Sequence, residues 1–173
     1  MIFIIYNTYD IVYFRRNLQK KNVMDNFRYR PKDNFIQEAS LDDLLTLTKN
    51  WENDLIFYNK DLKFLQQLIE VHFVKLLLYG SASEFRDLQN DIKISIVQCE
   101  ILLKQTPVIT KRLTLLIDEP YKYNAYILRN NYELFEDDCS HYIETVKIIR
   151  LLAFSMLKNI LEEEKPQYFW KFN

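Results

Sequence analysis

From Leu41 onward the apolar positions recur at alternating spacings of three and four, through Leu44, Thr48, Trp51, Leu55, Tyr58, Leu62, Leu65, Ile69, His72, Leu76 and Tyr79. A seam with this spacing stays on one face of a helix and repeats every seven residues. Ser40 stands where an N-cap is needed, Asp42 and Asp43 complement the positive end of the helix dipole, and Gly80 suits the left-handed residue that ends a helix. The pattern predicts a helix from Leu41 to Tyr79. A second stripe, Phe57, Phe64, Val71 and Leu78, also recurs every seven residues and widens the predicted buried face, so this helix is expected to touch two neighbours.

Ser81 and Glu84 form a capping box at the start of a second helix, whose apolar positions run Phe85, Leu88, Ile92, Ile96, Cys99 and Leu103. Thr106 and Pro107 kink or break it, because proline lacks the amide donor and clashes with the preceding turn. The period resumes at Ile109, Leu113 and Leu116 and stops at the turn residues Asp118, Glu119 and Pro120. A third helix follows from about Tyr123 to Glu163, with Leu128, Phe135, Tyr142, Ile149, Leu152, Met156 and Ile160 inward, and Pro166 ends it. The expected fold is all-α: an antiparallel up-down-up bundle of three long helices, the second kinked or broken at Pro107. If Pro107 is instead a true turn, the same pattern gives a four-helix bundle.

Composition supports this class. The 173 residues contain one glycine and four prolines, whereas sandwiches, barrels and phosphate-binding loops need glycine at turns with positive φ. The organisation expected is a leader over residues 1–39, poorly structured or lying before a true start at Met24; a single helical domain over 40–165; and an aromatic tail over 166–173. Met1 to Phe14 is apolar but interrupted by Asn7 and Asp10, has no positive segment before it, and is too short to span a bilayer, which needs about 20 apolar residues. No membrane span is expected.

The formal net charge is −1, with Lys and Arg spread along the chain, so the extended positive field that attracts nucleic acid is missing. Cys99 and Cys139 are too few for a disulfide framework and lack metal-ligand spacing, which suggests buried thiols in a reducing compartment, the cytoplasm.

Candidate chemistry is sparse. Asp138 and His141 lie three residues apart on one helix face, as ligands do in carboxylate-bridged metal bundles, and Glu100 and Asp61 could reach them from neighbouring helices. The only other histidine, His72, lacks a matching carboxylate and sits ~20 Å away along the bundle. The bland alternative for His141 is a solvated or hydrogen-bonded ring, and for His72 a partly buried seam residue satisfied by a neighbour. No cofactor motif and no catalytic constellation occur. For contacts with partners, the strongest candidates are the surplus apolar positions Phe57 and Phe64, and Tyr168, Phe169, Trp170 and Phe172 in the tail, since aromatics dominate binding hot spots. The tail could equally fold back over the end of the bundle. The sequence thus points to a non-catalytic helical bundle acting through protein–protein contacts or self-association as a homodimer, with a metal- or small-ligand-binding bundle centred on Asp138 and His141 as the alternative.

Overall fold

The computed structural model describes residues 34–74 and 82–163. Four helices form and pack together: α1 (Phe35–Glu38), α2 (Leu41–Val71), α3 (Ala82–Asp118) and α4 (Ala125–Glu163), with no strand among the described residues. The long helices α2, α3 and α4 each touch the other two, and α1 rests on α4. Contacts between α2 and α4 advance together along the two helices, Leu44 meeting Tyr132 and Asp61 meeting Arg150. Those between α2 and α3 advance in opposite senses, Glu52 meeting Thr106 and Leu55 meeting Cys99.

Local chemistry fixes the helix ends. The Ser40 hydroxyl accepts from the Asp43 amide at 3.1 Å, with Asp42 and Asp43 in the first turn of α2, so one of the four unpaired amides at that end is satisfied. The α4 start is capped in the same way, by Asn124 Oδ1 accepting from the Ile127 amide at 3.1 Å. At its far end α2 stops at Val71, where His72 adopts φ −96° and ψ 12°, well away from helical values. The seam was expected to continue to Tyr79; Leu76, Tyr79 and the Gly80 cap lie outside the described residues.

The seam of α2 is buried as its spacing predicts: Leu44, Thr48, Trp51, Leu55, Tyr58, Leu62, Leu65 and Ile69 are all interior. The second stripe is not. Phe57 is 56% exposed, Phe64 57% and Val71 78%, because these positions lie well round the helix from the seam and neither neighbour reaches over them. On α3 the buried line is Phe85, Leu88, Ile92, Ser95, Cys99, Leu102, Thr106, Leu113 and Leu116, while Ile96, Leu103 and Ile109 are only partly covered. The repeat therefore passes through Ser95 and Leu102 rather than drifting to Ile96 and Leu103.

Pro107 neither ends nor divides α3, which runs unbroken from Ala82 to Asp118. Proline deprives the carbonyl four residues earlier of its amide donor. That carbonyl belongs to Leu103, and the Thr106 hydroxyl donates to it at 3.0 Å. The side chain next to the proline thus replaces the missing bond, and the seven-residue repeat continues on the same face from Thr106 to Leu113. Thr106→Val is expected to destabilise the protein by about 1 kcal/mol, since it removes the hydrogen bond to a part-buried acceptor. In a Pro107→Ala background, which restores a backbone amide donor to the Leu103 carbonyl, the same substitution should cost clearly less; equal costs in the two backgrounds, measured by urea unfolding, would refute this role.

Two apolar clusters make up the core. The larger is built from the α2, α3 and α4 seams, including Trp51, Leu62, Ile92, Cys139 and Val146. The smaller lies where α1 meets the bundle and contains Ile36, Ala39, Leu44, Leu113 and Tyr132. Ile36 is 1% exposed, and the Arg129 guanidinium donates to its carbonyl. The end of the stretch expected to be an unstructured leader is thus part of the folded core. Residues 1–33, with Met24, and the tail bearing Tyr168, Phe169, Trp170 and Phe172 lie outside the described residues.

Candidate functional site

Asp138 and His141 are both on the exposed side of α4, and together they line a shallow groove of about 190 Å³ against Gln98, Ile101 and Gln105 of α3. The i, i+3 spacing brings them to one face, as the sequence implies. A wider section of about 510 Å³ adjoins it, sharing Ile101, Gln105 and Asp138 and continuing past Lys104, Val108, Arg112 and Leu134. The floor is apolar and the rim carries charge of both signs.

The supplementary metal candidates do not join this pair. Asp61 lies between α2 and α4, its carboxylate 2.6 Å from the Arg150 guanidinium. Glu100 lies between α2 and α3, 3.2 Å from the Lys63 ammonium. Three different helix pairs therefore hold the four residues, and each supplement already has a cationic partner. Among the described residues no group of three or more His, Cys, Asp or Glu side chains is arranged to hold a metal ion. His72, half-buried at the end of α2, is remote from the groove.

The interior contains more polar chemistry than the seam pattern discloses. Cys99 donates from Sγ to the Leu55 carbonyl at 3.2 Å, and burial pushes its thiol pKa up, with the Tyr142 hydroxyl offsetting part of the rise. Cys139 is raised further, by burial first and then by the negative charge of Asp138. Burial likewise raises Tyr142, reinforced by the neighbouring Cys99, and raises Tyr58, reinforced by Asp54. Both thiols are free and buried and are held in the protonated form, whereas the thiolate is the nucleophile and metal ligand. Glu136 and Ser140 are also buried on α4. They flank the seam positions Phe135 and Cys139 on the side that faces a neighbouring helix, so a wheel drawn from the observed seam would have found them.

What the core does not use is equally informative. Large apolar side chains remain exposed in seven-residue stripes: Phe57 and Phe64 on α2, and Ile94, Ile101 and Val108 on α3, joined by Ile127 and Leu134 on α4. No described helix is long and apolar enough to cross a membrane. No family model, curated protein or solved structure matches this chain.

Proposed function

We propose that this chain is a non-catalytic helical-bundle protein that acts through protein–protein contacts. Its three long helices are read as an up-down-up bundle, with α1 closing one end, rather than as a four-helix bundle. The observation that carries the functional reading is the set of exposed apolar stripes on α2, α3 and α4. Apolar side chains left exposed on a shared face favour a surface that meets a partner, and stripes at helical spacing suit docking against another helix. The tail aromatics Tyr168, Phe169, Trp170 and Phe172 would add contacts of the same character. Free, buried Cys99 and Cys139 are consistent with a reducing, cytoplasmic setting.

The alternative, a bundle that binds a metal or small ligand, is favoured by one observation, that Asp138 and His141 line the same groove. Light scattering of the full chain at micromolar and near-millimolar concentration, combined with elemental analysis, separates the two. A mass that rises to two chains or more, without stoichiometric metal, supports the contact reading. A monomer with about one bound transition metal per chain overturns it.

A further inference from the structure

We infer that the face shared by α3 and α4 is a self-complementary docking surface for a second copy of this chain, set in a two-fold dimer with α3 of each copy against α4 of the other. The inference rests on the contact-protein reading and names its partner and its face.

Among the described residues this face carries exposed apolar side chains on two adjacent helices that border one groove. Ile101 is 51% exposed, Val108 48% and Leu134 63%, and all three border the groove between the two helices. Ile94 on α3 and Ile127 on α4 extend the stripes by one heptad in each direction along the same faces. The α2 stripe, by contrast, is confined to one helix.

Charge selects the occupant. On the α3 side the groove is rimmed by Lys104 and Arg112, and on the α4 side by Asp138. Lys104 and Asp138 border one groove section, so they lie at similar heights along the bundle; Val108 and Leu134 do so as well. A two-fold axis lying in the interface and parallel to the helices exchanges left for right and leaves height unchanged. It therefore sets Lys104 opposite Asp138 of the second copy, and Val108 opposite Leu134, with each contact made twice, as an isologous interface requires. An axis perpendicular to the helices would instead bring the Lys104 and Arg112 rims of the two α3 helices together, which like-charge repulsion disfavours.

Size is adequate as well. The exposed stripes run from Ile94 to Val108 on α3 and on through Leu134 to Ile127 on α4, roughly 30 Å of bundle length at helical rise, and two helices are about 20 Å wide. That offers on the order of 600 Å² per copy, at the lower end of the range for a stable interface, about 600–1,000 Å² per partner.

The test uses full-length chain in four samples: wild type, Lys104→Glu, Asp138→Lys, and an equimolar mixture of the two variants, each followed by light scattering over a concentration series. Wild type should dimerise. Each variant alone should associate at least roughly tenfold more weakly, because like charges now meet across the interface. The mixture should recover wild-type affinity, since both contacts in a mixed pair again join opposite charges; an ion pair within one chain could not be rescued by mixing. A mixture no tighter than its components overturns the inference, as does wild type that stays monomeric at near-millimolar concentration. If Phe57→Asp with Phe64→Asp dissolves the dimer and Ile101→Asp with Leu134→Asp does not, the face is wrong while the contact reading stands. Unchanged helical circular dichroism and unfolding midpoint in each variant exclude misfolding as the cause.

Discussion

Trp51→Ala is expected to lower stability by about 3–5 kcal/mol, the range for removing a buried aromatic side chain from a close-packed core. Trp51 is fully buried in the larger cluster, among residues of all three long helices. The surrounding side chains come from separate elements that are already locked by their own seams, so collapse into the vacated space is limited and the cavity persists. Phe57→Ala, six residues along the same helix, removes an exposed ring and should change stability by no more than about 0.5 kcal/mol. Urea unfolding of the two variants measures the contrast directly. Comparable losses in both would mean that the Phe57 stripe belongs to the core and is not available for a partner.

The second large effect is expected from Ile36→Ala, at about 2–5 kcal/mol. A helix as short as α1 has no stability of its own, so its place depends on the burial of Ile36 and Ala39 against Leu44, Leu113 and Tyr132. The Tyr132 hydroxyl donates to the Leu44 carbonyl at 3.1 Å, and the Thr48 hydroxyl donates to the same carbonyl at 2.8 Å, which ties the start of α2 to α4 directly beside the α1 site. Loss of Ile36 should therefore be felt through the whole cooperative transition. If α1 were peripheral, the unfolding midpoint would hardly move, and the cluster at this end would have to be stable without it.

Much of this fold is legible in the residue pattern. The α2 seam from Leu44 to Ile69 is buried as its spacing implies, and the Ser40 cap forms. On α3 the seam is harder to follow, because a search for large apolar residues steps from Ile92 to Ile96, while the bundle holds its register by burying the small hydroxyl residue Ser95. A strict seven-residue repeat keeps one face toward its neighbours even where the residue on that face is polar. Pro107 shows the same limit: whether a proline breaks a helix depends on whether another donor reaches the freed carbonyl, and here the adjacent Thr106 does so. The α2 stripe of Phe57 and Phe64 misleads for the opposite reason, since periodicity reveals a common face but not whether a third helix covers it.

For the candidate site, the proximity of Asp138 and His141 follows from helical spacing alone. The partners of Asp61 and Glu100 do not, because Asp61 meets Arg150 and Glu100 meets Lys63 only once three helices are set in register. Ile36, isolated in sequence between Phe35 and Gln37, gives no periodic signal at all. Its burial is a property of the assembled end of the bundle.

A core built on three seams leaves the α3 and α4 stripes exposed, and the proposed dimer would cover them. Hydroxyl-radical footprinting of the full chain, diluted and concentrated, tests this most directly, since it reads side-chain accessibility residue by residue. The expected result is that Trp51 and Tyr132 are protected at both concentrations, while Ile101, Val108 and Leu134 are oxidised in dilute protein and become protected on concentration. Equal oxidation of Ile101, Val108 and Leu134 at the two concentrations, or ready oxidation of Trp51, would contradict it.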